Sequence, residues 1–67
     1  MNIAENLKKK REEYDLEQQE LAKRAGVSTS LICAIERGLK LPSLGTVVVL
    51  ADIFHCSVDE LIGRKVS

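Results

Sequence analysis

The run Gln18-Gln19-Glu20-Leu21-Ala22-Lys23-Arg24-Ala25-Gly26-Val27-Ser28, followed by Leu31-Ile32-Cys33-Ala34-Ile35-Glu36-Arg37-Gly38, leaves the chain few options. Leu21, Ala22 and Ala25 recur at helical spacing, and Gly26 then supplies a residue free to take the left-handed conformation that stops a helix. Ser28 offers a hydroxyl cap to a second helix, whose apolar positions Leu31, Ile32 and Ile35 follow the same period. Two short helices joined by so tight a turn must cross steeply, and Ala22 is small enough to let the second helix cross closely.

The remaining segments read as support for that pair. Ile3 and Leu7, with Tyr14 beyond them, mark a first helix over about 2–13, with Asn2 and Glu5 at the spacing of a capping box. The pair itself occupies about 18–24 and 29–36, and Gly38 ends the second member. Ser43 caps a fourth helix over about 44–54, where Leu44, Val47, Val48, Ala51 and Phe54 recur as a buried stripe. The three consecutive valines favour a strand, yet a lone strand would find no partner in this chain. Ser57-Val58-Asp59-Glu60 repeats the capping-box spacing and opens a last helix over about 58–62 that tucks in Leu61 and Ile62. The expectation is an all-α fold of five helices in a single domain over 1–67, near the lower size limit for one hydrophobic core.

Formal net charge is zero, which argues against an indiscriminate polyanion binder. The basic residues are unevenly placed: Lys8, Lys9, Lys10, Arg11, Lys23, Arg24, Arg37 and Lys40 fall in the first forty positions, and Arg64 and Lys65 near the end. Cys33 and Cys56 sit in apolar or half-apolar patterns without a secretion signal, so both are expected as reduced thiols of a cytoplasmic protein. The longest apolar run, Thr46 to Ala51, is far too short to cross a bilayer. His55 and Cys56 lack further ligands at metal-binding spacing, so no metal or other cofactor is expected. The chain offers no acid–base constellation, no glycine-rich phosphate loop and too little length to enclose a substrate, so an enzyme is not expected.

Two steeply crossed helices with a free outward face on the second form the arrangement that places a helix in the major groove of DNA. From Ile3 to Ile62 the chain resembles the Cro/C1-type, or Xre-like, helix-turn-helix family of phage and bacterial transcriptional regulators. The resemblance rests on Gln18 with Glu20-Leu21-Ala22, Gly26-Val27-Ser28, Ile32 with Ile35-Glu36 and Gly38, Pro42-Ser43-Leu44, Leu50-Ala51 and Ser57-Val58-Asp59-Glu60-Leu61. It implies a lambda-repressor-like five-helix fold and cofactor-free binding of double-stranded DNA, usually as a homodimer on a palindromic site. It also leaves open an antitoxin or a protein-interaction module on the same scaffold, answering to a protein partner or antirepressor.

The same resemblance assigns base reading to Thr29, Ser30 and Ala34, with Cys33 alongside, and phosphate contact to Gln18 at the start of the second helix. Ala34 can touch a thymine methyl, but no Arg, Asn or Gln lies within that helix to grip a base with two hydrogen bonds. Glu17 stands where the family usually caps with Ser or Thr; its charge suits the helix dipole and repels a phosphate. Arg37 and Lys40, then Lys10, are the basic candidates for phosphate. The family pairs an arginine of the first helix with the glutamate found here as Glu36, which points to an Arg11–Glu36 ion pair fixing the reading helix. Leu44, Val49, Ile53, Cys56 and Val58 form an apolar surplus suited either to self-association or to a larger core for a small domain.

Overall fold

A computed structural model describes residues 2–63; among them the chain forms five helices and no strand. These are α1 (Ile3–Glu13), α2 (Gln18–Ala25), α3 (Thr29–Glu36), α4 (Leu44–Ile53) and α5 (Val58–Ile62). Arg64 and Lys65, and both ends of the expected 1–67 span, lie outside the described residues.

Each helix start is built by a local side chain. Asn2, Ser28, Ser43 and Ser57 accept the backbone N–H three residues on, from Glu5, Leu31, Thr46 and Glu60, at 3.0–3.2 Å. Each bond satisfies one of the donors that a helix N-terminus leaves unpaired. Glu17 is the exception: the Glu20 carboxylate reaches back to its N–H at 3.2 Å.

Four helix ends close with one hydrogen-bond pattern. The N–H groups of Leu16, Val27, Leu39 and Cys56 donate to the carbonyls five residues back, of Arg11, Ala22, Ala34 and Ala51. The residue before each, Asp15, Gly26, Gly38 or His55, takes a positive φ between 52° and 75°. This is the Schellman closure, which turns the chain sharply and presents the following apolar residue to the helix just ended. Leu16 is accordingly buried, and Val27 and Cys56 pack against the core. Leu39 does not, and stays 68% exposed.

The core joins all five helices through Leu7, Leu21, Ala22, Ile32, Ile35, Val47, Leu50, Ala51, Phe54 and Leu61, with Leu16 from the first turn. Tyr14 lies edge-on to Phe54 at 5.2 Å, and its hydroxyl donates to the Phe54 carbonyl at 2.9 Å, tying α1 to the end of α4. The Asn6 amide holds α5 by donating to the Leu61 carbonyl at 3.1 Å.

In α4 the buried stripe differs from the expected one. Val47, Leu50, Ala51 and Phe54 face inward, whereas Leu44 is 76% and Val48 43% exposed. At about 100° per residue, Val47, Leu50, Ala51 and Phe54 share one side of the helix. Val48 projects from its flank, and Leu44, in the first turn, lies at the edge of the packed surface.

Candidate nucleic-acid interface

Helix α3 is fixed by its inner side and free on its outer one. Ile32 and Ile35 are fully buried beneath it against α1 and α2, so the helix cannot roll without opening the core. Thr29 and Ser30, in the first turn, are exposed, and Cys33 and Ala34 are half-buried one turn later. These four residues line a shallow groove of about 430 Å³. Gln18 borders it from the start of α2, and Arg37 and Leu39 from the turn after α3.

One charged network sets the position of α3 relative to α1 and α2. The Arg11 guanidinium donates through Nε to Glu36 Oε2 at 2.7 Å and through Nη2 to Oε1 at 3.0 Å. Its Nη1 donates to the Leu16 carbonyl at 2.7 Å. The two side chains are 13% and 4% exposed, so this two-pronged pair is nearly withdrawn from water. Glu36, by hydrogen bond first and charge second, holds the Arg11 guanidinium above its ordinary value.

The network has a third member that the pairing of Arg11 with Glu36 does not reveal. Gln18 Nε2 donates to Glu36 Oε1 at 3.0 Å. Its amide is therefore oriented from inside the protein, with one N–H and the carbonyl oxygen remaining for an outside partner. A long-range hydrogen bond from α2 to the end of α3 leaves no trace in residue spacing.

Gln18, Thr29, Ser30, Cys33, Ala34 and Arg37 are thus brought to one groove, and Leu39 joins them. Lys40 is exposed just beyond but does not line it. Lys10 turns another way: its ammonium pairs with Glu60 of α5 at 3.3 Å, and that carboxylate raises it above its ordinary value. Lys10 follows Lys9 and precedes Arg11 on one helix; Arg11 faces α3, so its neighbour, about 100° round the helix, faces α5.

The expected apolar patch also divides. From Leu44 to Val49 is a rotation of about 140° and to Ile53 about 180°, so these residues lie on different sides of α4. Leu44 and Val48, one turn apart, share one flank, and Leu41, 81% exposed, lies on the connector before the helix. Val49 is 38% exposed on the other, where Ile53, Cys56 and Val58 are largely packed against the core. Beside the first flank, Ile3, Leu41, Pro42, Val47 and Ile62 line an apolar cleft of about 250 Å³. Cys33 and Cys56 are free thiols.

Comparison with known proteins places this geometry among others. A helix-turn-helix family model matches residues 7–61. Over 64 residues the chain is 34% identical to the cryptic phage CTXphi transcriptional repressor RstR of Vibrio cholerae, covering 96% of this chain and 57% of that protein. It is 32% identical over 63 residues to the control protein C.SmaI of Serratia marcescens, covering 94% of this chain and 75% of the other. The crystal structure of a transcriptional regulator from Listeria innocua superposes with a TM-score of 0.89 at 31% identity, over 97% of this chain and 61% of that one. The chain therefore spans less than two thirds of the length of RstR and of the Listeria protein. Among the described residues no helix is long and apolar enough to cross a membrane.

Proposed function

The chain belongs to the Cro/C1-type helix-turn-helix family of DNA-binding regulators, and on that premise we propose that it is a sequence-specific transcriptional repressor acting as a homodimer on an inverted repeat. The observation that carries this reading is the outer side of α3. Thr29, Ser30, Cys33 and Ala34 are gathered in one groove, while Ile32 and Ile35 lock the opposite side into the core. A major groove admits such a helix, and its first turns reach the base edges.

Phosphate contacts frame it. The Gln18 amide, held by Glu36, stands at the N-terminus of α2, where the helix dipole favours an anion. Arg37 stands at the other end of the groove, and Lys40 lies on the connector after it. Lys10, engaged with Glu60, is left out of this set.

One reading helix gives little discrimination, so two copies are placed on half-sites about 34 Å apart. Leu44 and Val48 on α4, with Leu41 on the connector before them, support the contact between the copies: all three are exposed, and that connector leads directly from the α3 groove. Leu44→Glu is expected to leave the fold intact and abolish cooperative occupation of the repeat.

The test is selection of bound genomic fragments, then titration of the best fragment at two salt concentrations. Tight, salt-sensitive binding to an inverted repeat, lost when Thr29 and Ser30 both become alanine, is expected. Arg37→Ala should lower the salt slope by about one unit, and Lys10→Ala should leave it unchanged. No enriched fragment, or equal binding by the double variant, would overturn the reading. The exposed leucines at 39, 41 and 44 favour a second reading, an antitoxin or interaction module whose DNA binding needs a protein partner; such a protein would select a site only with that partner present.

A further inference from the structure

We infer that the α3 groove discriminates DNA sequence through the C5-methyl groups of pyrimidines, thymine in ordinary DNA, with Leu39 as a contact residue beside Thr29, Cys33 and Ala34. The inference rests on the DNA-binding reading above and names what that site recognises.

Three observations converge on it. The first is what the groove offers. Thr29 brings a methyl group, Cys33 a thiol, Ala34 a methyl and Leu39 an isobutyl group, against the hydroxyls of Thr29 and Ser30. A hydroxyl can donate or accept and so suits any base edge, whereas the thymine methyl is the one apolar mark in the major groove.

The second is where the strong donors are committed. The Gln18 amide has one N–H tied at 3.0 Å to a glutamate that Arg11 already holds, and it stands at the start of α2, where the reading above gives its free groups to phosphate. Arg37, on the turn after α3, is assigned to phosphate in the reading above.

The third is Leu39. Of the four apolar residues that follow a left-handed turn residue at a helix end, Leu16, Val27 and Cys56 pack inward, the usual place for this position. Leu39 keeps the same backbone bond, to Ala34 at 2.9 Å, yet its side chain is 68% exposed and lines the groove. A leucine held in water beside Ala34 extends the apolar surface where a base edge would lie.

The test begins from the site selected as above. Each thymine is replaced in turn by uracil, which removes the methyl and leaves every hydrogen-bonding group in place. Affinity is expected to fall about fourfold at each thymine touched, the effect of one buried methyl-sized group. In a second arm the thymine is replaced by cytosine or by 5-methylcytosine. With guanine opposite in both cases, the methylated base is expected to bind more tightly than the plain one, and equal binding of the two would overturn the inference. Thr29→Ser and Leu39→Ala are each expected to weaken binding to thymine DNA and to bind the uracil-substituted site as the unaltered protein does.

Uracil substitution without effect would overturn the inference while leaving DNA binding intact. So would variants that lose equally on both DNAs, or a site that fails only when guanines are replaced by 7-deazaguanine, which would give the readout to Arg37. Selection of no site at all would remove the DNA-binding reading and this inference with it.

Discussion

Replacing Glu36 with alanine removes an acceptor that three donors share, and the cost can be worked from their surroundings. Arg11 Nε and Nη2 lie 2.7 and 3.0 Å from the carboxylate, and Gln18 Nε2 lies 3.0 Å away. The alanine variant strands a guanidinium that is only 13% exposed, with the Leu16 carbonyl as its sole remaining partner in this set. Breaking a buried pair from one side costs about 3–5 kcal/mol. Arg11 can swing partly toward water, which puts the expected loss at the lower end, about 3 kcal/mol. A chain of this size has only about 3–10 kcal/mol of stability. The assay is urea unfolding followed by circular dichroism. With a slope of about 1 kcal/mol per molar, the midpoint should fall by about 3 M. Arg11→Met combined with Glu36→Leu should be more stable than either single alanine variant, because neither charge is then left unpaired. A fall of less than about 0.5 M for Glu36→Ala, or a double variant that loses the sum of both singles, would refute the reasoning.

Other expectations follow from single contacts. Gly26→Ala should cost about 1–2 kcal/mol, because the residue holds φ at +71° while an added Cβ meets nothing within 4 Å; an unchanged thermal midpoint would contradict this. Tyr14→Phe keeps the ring against Phe54 and loses the 2.9 Å bond to its carbonyl, so a loss of about 0.5–1.5 kcal/mol is expected in the same melt. Burial pushes the Cys56 thiol up, assisted by Glu60 and opposed by Lys10. The folded state therefore holds this proton more tightly than the unfolded chain. The resulting stability is complete below the unfolded value and is lost as pH rises through the folded one. In a Cys33→Ser background, alkylation of Cys56 should titrate above the ordinary thiol value of about 8.5; a midpoint at or below it would contradict the burial.

The features readable from sequence were those that act over a few residues. Asn2, Ser28, Ser43 and Ser57 announce helix starts because a short polar side chain can reach only the next turn. Gly26 and Gly38 announce ends because they accept positive φ without penalty. Asp15 and His55 occupy equivalent left-handed positions at 54° and 52° without being glycine, so composition conceals those two closures, and with the first of them the burial of Leu16. Spacing alone puts Leu44 and Val48 in the α4 stripe wrongly, because every position from Val47 to Ala51 is apolar. A run that is apolar on all sides carries little periodic signal, and only packing decides which side turns inward. At the candidate site, the family resemblance marks Thr29, Ser30, Cys33 and Ala34 as the reading set, while helical periodicity marks only the inward Ile32 and Ile35. The Gln18–Glu36 bond, the diversion of Lys10 to Glu60 and the outward Leu39 depend on contacts between distant segments or on one side chain's failure to bury. Spacing does not encode these.

The central claim is that the α3 groove meets DNA, and the most direct measurement is a nitrogen-15 NMR titration of the protein with the selected duplex. The account predicts the largest amide shifts at Gln18, from Thr29 to Ala34, and from Arg37 to Leu39, with smaller changes at Leu41, Leu44 and Val48, where the second copy is placed. Saturating DNA that leaves the α3 groove resonances in place would contradict it.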